Sequence, residues 1–193
     1  TVKDAVDHCA AMEDGKRVVR SELVPDVSSI EAGLRSDGSE LAEVTFSEKG
    51  DFAEFLESTY SDAIAAVTGR HVTQDDRVFV LGEEVASFGG GPYGATKALP
   101  GKYPDRILNT PISEAGFSGL AGGAAMSGLR PIVEIMFPDF TLVAADQLFN
   151  QIPKLRHIYG NSTDMPLVAG TRIAIGCGYG GQHSGDPVGM YSM

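Results

Sequence analysis

The chain has 193 residues, with 26 acidic against 15 basic side chains and a formal net charge of −11. That length holds one good-sized α/β domain plus an extension, and that charge argues against nucleic acid and anionic membrane surfaces as partners. No apolar run approaches the ~18 residues of a membrane span, and Cys9 and Cys177 stand far apart without a CxxC, which points to a reducing compartment rather than a disulfide framework or a zinc site.

Residues 1–20 are predicted to form a short helix, with Val2, Val6, Cys9 and Ala10 on one face and Asp4, Asp7, Glu13 and Asp14 opposite. Residues 21–50 carry Pro25, scattered serines and glycines and no sustained period. They read either as a linker from an upstream domain or as an extension wrapping the domain surface. Helical spacing returns from Asp51 to Val67, through Phe52, Phe55, Leu56, Ala63, Ile64 and Val67, with Gly69 as the stop. Residues 77–81 (RVFVL) are a buried strand by their β-branched and aromatic content, and Glu83 and Glu84 follow its C-terminal end as loop carboxylates.

A glycine-rich loop then leads to Ile107 and Leu108, which close a second apolar run. Pro111 blocks further ladder pairing, and Ser113 is placed to cap a helix over Glu114–Ser127. Phe117, Leu120, Ala121, Ala124 and Ala125 fall at helical spacing there. Gly116, Gly119, Gly122 and Gly123 cost that helix roughly 1 kcal/mol each, a cost tolerated where another backbone or a ligand must come close. Arg130-Pro131 ends the helix and Ile132–Met136 is a buried strand, completing a βαβ unit. A long amphipathic helix is expected over Phe140–Tyr159, with Val143, Ala144, Leu148, Ile152, Leu155 and Ile158 inward. Pro153 should kink it or begin a second short helix. Leu167–Ala169 gives a further strand that Arg172–Ile175 would continue past a break, and a glycine-rich loop then runs to His183. Strands alternating with helices in this way predict a mainly parallel sheet with helices on both faces.

Glu114 is the sharpest candidate for chemistry. It places a carboxylate in a helix's first turn, just beyond a strand's C-terminal end, where open parallel sheets hold their ligands. From position alone such an acid is more commonly a complement to the helix dipole. His8, His71 and His157 read as exposed bystanders, and the glycine loop at 176–181 lacks both GxGxxG and a Walker lysine, so it is a weak phosphate signal.

The stretches TPISEAG (110–116), GLRPIVEI (128–135) and DF (139–140), with GEEV (82–85) and KYPDR (102–106) upstream and QHS (182–184) downstream, carry a resemblance. Together they resemble the β subunit of thiamine-diphosphate-dependent 2-oxo acid dehydrogenases, over roughly Thr59 to Met193 and in the family's order. The resemblance implies a three-layer α/β pyrimidine-binding, transketolase-like domain over residues 51–193, with residues 1–50 as the extension or linker. It implies that Glu114 hydrogen-bonds the cofactor's aminopyrimidine ring and favours its imino tautomer, which makes the exocyclic nitrogen basic. Phe140 would stack on that ring, with Ile112 and Met136 lining the same pocket. His183 would stand near the thiazolium's reactive carbon, and Glu83 would belong to an acidic channel between two cofactor sites. The sequence GDPVGMYSM after QHS departs from the family's pattern.

The family's GDG motif with its downstream Asn, which anchors the diphosphate through Mg²⁺, does not occur here. The resemblance therefore implies an α-type diphosphate-binding domain, on another chain or fused, that brings Mg²⁺, in a heterotetramer or a homodimer of fused chains. The opening at Thr1 and the end at Met193 lead us to expect a fragment of a longer polypeptide, inactive alone. The expected activity is decarboxylation of a 2-oxo acid with acyl transfer to a lipoyl-bearing acyltransferase, in the cytoplasm or, in a eukaryote, the mitochondrial matrix. A transketolase or deoxyxylulose-phosphate synthase relative, and a non-catalytic assembly subunit, are the alternatives.

Overall fold

The computed structural model describes residues 1–24, 26, 42, 44–160 and 162–192, and its contacts divide the chain into two units, Thr1–Glu43 and Val44–Met193. Pro25 and most of the residues 21–50 read as linker lie outside the described residues.

In the first unit helix α1 (Val2–Cys9) opens on a capping box, in which Thr1 accepts the Asp4 N–H and Asp4 reaches back. The helix expected over residues 1–20 stops at Cys9. Strands β1 (Ala10–Glu13) and β2 (Lys16–Val19) follow as an antiparallel hairpin pairing Glu13 with Lys16 and Ala10 with Val19. The reason is Asp14-Gly15, whose φ values of 50° and 75° suit the tight hairpin turn that an Asp-Gly pair favours. That turn signal outweighs the helical spacing on either side of it.

In the second unit helix α2 (Tyr60–Gln74) starts at Tyr60 rather than Asp51, because the Thr59 hydroxyl accepts the Asp62 N–H and sets the N-terminus there. Phe52, Phe55 and Leu56, expected on an inward helical face, are exposed. Gly69 does not end the helix. A Cβ there would lie 2.9 Å from the Leu99 side chain, so this glycine makes room for packing.

Strand β3 (Val78–Gly82), the one-turn helix α3 (Leu99–Lys102), strand β4 (Ile107–Asn109), helix α4 (Glu114–Met126) and strand β5 (Arg130–Ile135) come next. Ser113 stands at the N-cap of α4 but makes no capping hydrogen bond through its side chain. The single helix expected over Phe140–Tyr159 is broken into a 3-10 turn (Pro138–Leu142), a π-helical stretch (Asp146–Gln151) and helix α5 (Ile152–Ile158). Pro153 lies in the first turn of α5, and the preceding turn widens because proline offers no N–H and its ring crowds the carbonyl behind it. Ala144 and Leu148 face inward as expected, whereas Val143 and Ile158 are exposed. Strand β6 (Val168–Thr171) ends before Arg172, so Arg172–Ile175 does not extend it, and a loop leads to the short helix α6 (Val188–Tyr191).

All pairings in the four-stranded sheet are parallel, in the order β4-β3-β5-β6. Alternate residues of β3 and β5 feed two cores. Leu81, Val133 and Ile135 pack with Phe117, Ala121 and Ala144, while Val80 and Ile132 pack with Val85, Leu99 and Ile107. The result is a three-layer α/β arrangement. Gly122 of α4 lies so near α5 that a Cβ would meet the Ile152 side chain at 3.0 Å, so part of the glycine content of α4 admits the neighbouring helix. Because the strands run parallel, Gly82, Asn109, Ile135 and Thr171 end at one edge of the sheet.

Candidate functional site

That C-terminal edge gathers the candidate side chains. Gly82 closes β3 where a Cβ would run into the Glu134 carbonyl oxygen, so only glycine lets β5 come this close. Glu83, the next residue, is buried, while Glu84 adopts a left-handed φ of 59° and points to solvent. Asn109, at the end of β4, fixes the outgoing loop: its Oδ1 accepts the Ala86 N–H at 2.7 Å and its Nδ2 donates to the Ser87 hydroxyl at 2.8 Å. Thr110 then donates its N–H to the Gly82 carbonyl at 3.0 Å, which keeps the turn into α4 beside Glu83.

Glu114, the first residue of α4, is buried at 5% exposure, as is Glu83 at 5%. Burial, and then the neighbouring charge of Glu114, push the Glu83 acid up to about 7. Glu83 Oε1 is buried without a hydrogen-bond partner, and so are the hydroxyls of Thr110 and Ser184. Such orphaned polar atoms are uncommon in folded proteins and mark places where a ligand, water or ion completes the bonding. Burial beside a second carboxyl thus lets Glu83 keep its proton up to neutral pH.

A second cluster stands on the turn after β5. Phe137, 8% exposed, meets four rings edge to face: Tyr93 at 5.8 Å, Phe140 at 5.7 Å, Tyr179 at 5.8 Å and His183 at 4.8 Å. Phe140 also meets His183, at 5.1 Å. Asp139 accepts the Gly185 N–H at 3.2 Å, tying the glycine-rich loop to the same turn.

Of the residues singled out from sequence, the structure brings Phe140 and His183 into ring contact and makes Glu114 an electrostatic neighbour of Glu83. Met136 is half-buried just past β5, and Ile112 stands 86% exposed. Sequence reasoning missed Phe137, Tyr93, Tyr179 and Asp139, which reach the cluster from three separate loops. Among the described residues no group of three or more His, Cys, Asp or Glu side chains is arranged to hold a metal.

A cavity of about 910 Å³ lies elsewhere in this unit, against α2 and β6, and none of Glu83, Glu114, Phe140 or His183 lines it. Its polar feature is an ion pair that sequence reasoning also missed, Arg172 to Glu134 at 3.1 Å, with side chains 15% and 12% exposed. Burial raises the Glu134 acid and Arg172 opposes that rise.

Comparison with known proteins bears on this geometry. The model of the transketolase pyrimidine-binding domain matches residues 57–170, which include Glu83, Glu114 and Phe140 and stop short of His183. The chain is 42% identical over 130 residues to the mitochondrial pyruvate dehydrogenase E1 component subunit beta of Homo sapiens, covering 67% of this chain and 36% of that protein. It is 43% identical over 113 residues to the protein of the same name from Dictyostelium discoideum, covering 58% and 32%. It is 39% identical over 131 residues to the acetoin:2,6-dichlorophenolindophenol oxidoreductase subunit beta of Cupriavidus necator, covering 63% and 39%. The chain thus spans under two-fifths of the length of these relatives.

Proposed function

The chain belongs to the transketolase pyrimidine-binding domain family, and from that premise we propose that it supplies the pyrimidine half of a thiamine-diphosphate site in a 2-oxo acid dehydrogenase. The observation that carries the reading is the pair of buried carboxyls, Glu83 and Glu114, at the C-terminal edge of the parallel sheet. The residues present are of the kinds the pyrimidine half of the cofactor calls for: buried acids in Glu83 and Glu114, an aromatic ring in Phe140, and buried polar atoms of Glu83, Thr110 and Ser184 without partners. When bound, thiamine diphosphate would supply a nucleophilic carbon and an electron sink for decarboxylation of a 2-oxo acid.

Glu114 would hold the pyrimidine ring nitrogen through a hydrogen bond. Glu83, whose acid is raised to about 7 by burial and by neighbouring Glu114, would be the carboxyl of the pair that keeps its proton up to neutral pH. Phe140 would offer a ring to stack on, with Met136 and Ile112 lining the same pocket. His183 moves a proton at the position where the acyl group forms and leaves. The diphosphate and its Mg²⁺ are held by that α-type domain, in a heterotetramer or a homodimer of fused chains. A lipoyl-bearing acyltransferase takes the acyl group, in the cytoplasm or a mitochondrial matrix. We assign residues 51–193 to the domain and residues 1–50 to an extension or linker, a division supported by the separate compactness of Thr1–Glu43. The relatives named above, all β subunits of oxidoreductases, favour this reading over a transketolase or a deoxyxylulose-phosphate synthase.

The test is deuterium exchange at the reactive carbon of thiamine diphosphate in the assembled enzyme. Glu114→Gln preserves shape but removes the carboxyl, and it should slow exchange by about 100-fold or more, the range for lost acid–base help. Exchange at the wild-type rate in that variant would refute the role given to Glu114.

A further inference from the structure

We propose that Asp139 and Phe137 are positioning residues for His183, together clamping the glycine-rich loop so that the imidazole is held at the mouth of the site. The proposal rests on the reading of His183 as a proton carrier, and it adds two residues to which no role has been assigned. The loop from Gly176 to Pro187 needs such an anchor. Gly176, Gly178 and Gly180 have φ values of 82°, 75° and 89°, no regular element spans the loop, and most of it is exposed. Left to its own conformational freedom, a chain of this composition would spread the histidine over many positions.

Two contacts to a single turn remove that freedom. Asp139, in the 3-10 turn after β5, accepts the Gly185 N–H at 3.2 Å. The carboxylate packs so closely on Gly185 that a Cβ there would meet Asp139 Oδ1 and push the side chain aside, so glycine at 185 serves the close approach of Asp139 and not a left-handed backbone. Two residues before Gly185, the His183 ring sits edge to face with Phe137 at 4.8 Å and Phe140 at 5.1 Å, at interplanar angles of 79° and 84°. Phe137 is itself fixed, since its ring is buried and also meets Tyr93 and Tyr179 edge to face. The turn is rigid in its own right, with the buried Thr141 hydroxyl donating to the Pro138 carbonyl at 2.6 Å. His183 is therefore held by the rings of Phe137 and Phe140 and by a backbone anchor two residues away. Edge-to-face geometry is the arrangement that aromatic quadrupoles prefer.

The experiment follows the His183 ring by NMR in the full chain carrying ¹³C-labelled histidine, with His183→Ala identifying its signal among the four histidines. Flanked by two aromatic rings, the His183 ring protons should resonate away from the positions of a solvent-exposed histidine. Phe137→Leu should return them part of the way, since Phe140 remains beside the ring. Asp139→Leu should shift and broaden them, whereas Asp139→Asn, which keeps an acceptor oxygen for Gly185, should preserve them. Gly185→Ala, whose methyl group displaces the Asp139 carboxylate, tests the same anchor should Phe137→Leu fail to fold.

In the assembled enzyme, Phe137→Leu and Asp139→Leu should each lower kcat by about 10-fold with little change in KM, and Asp139→Asn should restore it. Combined with His183→Ala, neither should cost anything further. Unmoved His183 signals in both Phe137→Leu and Asp139→Leu would overturn the clamp even if His183→Ala abolishes turnover. Wild-type turnover in His183→Ala would instead remove the catalytic reading of the histidine, while the ring signals would still decide whether the clamp exists.

Discussion

Replacing Glu83 by glutamine should stabilise the fold at neutral and alkaline pH and do little near pH 4.5. The Glu83 acid is raised from 4.5 to about 7, first by burial and then by the charge of Glu114. A raised carboxyl is neutral in the folded protein while it is already ionised in the unfolded chain. Below about 4.5 both states carry the proton and the group contributes nothing to the difference. Between about 4.5 and 7 the unfolded state alone releases its proton, so folding stability falls with rising pH, and above 7 the loss is complete. At 1.36 kcal/mol for each pH unit, the gap sets a ceiling of roughly 3 kcal/mol, and screening by solvent at the sheet edge reduces the expected loss to about 1–2 kcal/mol. Urea unfolding at several pH values from 5 to 8, wild type against Glu83→Gln, reads this directly. The two stability curves should separate as pH rises and run parallel above about 7. Glu114→Gln should shrink the separation, since it removes the like charge. Curves that stay parallel from pH 5 upward would show that Glu83 is not desolvated, and the buried carboxyl pair would fall with it.

The remaining predictions concern the divided site and the buried ion pair. Isothermal calorimetry with thiamine diphosphate and Mg²⁺ should show no tight binding by this chain alone, because the groups expected to hold diphosphate and metal belong to the α-type domain; micromolar affinity would refute a divided site. Arg172→Met should destabilise the fold by about 3–5 kcal/mol, since it strands Glu134 in a site where that side chain is 12% exposed. Glu134→Leu combined with Arg172→Met should recover most of that loss, and failure to recover would mean that Arg172 acts through packing rather than charge.

Much of the second unit was legible in the sequence because its patterns are local. The apolar content of β3 and β5, the small-residue spacing of α4 and the proline turn before Glu114 each name their own structure. The failures share one physical cause, which is that a nearby signal of another kind prevailed. Thr59 offers a hydroxyl cap, so α2 begins there although Phe52, Phe55 and Leu56 have helical spacing. Asp14-Gly15 offers a hairpin turn, so α1 stops at Cys9. Pro153 has no N–H to give, so the turn before it widens and the inward face predicted for Val143 and Ile158 is lost.

The site divides along the same line. The placement of Glu114 at a strand-to-helix turn can be found from sequence because strand, turn and helix lie contiguous around it. The burial of Glu83 cannot, because two adjacent glutamates look alike until the approach of β5 at Gly82 fixes which one turns inward. The rings around Phe137, that of His183 among them, come from residues as far apart as Tyr93 and Tyr179, and each alone reads as an ordinary loop aromatic. What a sequence could have offered is the period-two rule applied past the end of β5. It places Val133, Ile135 and Phe137 on one side and Glu134 on the other. Carried two residues beyond the strand, the alternation that fills the core also delivers the ring that meets His183, so that packing and site geometry are set by one register.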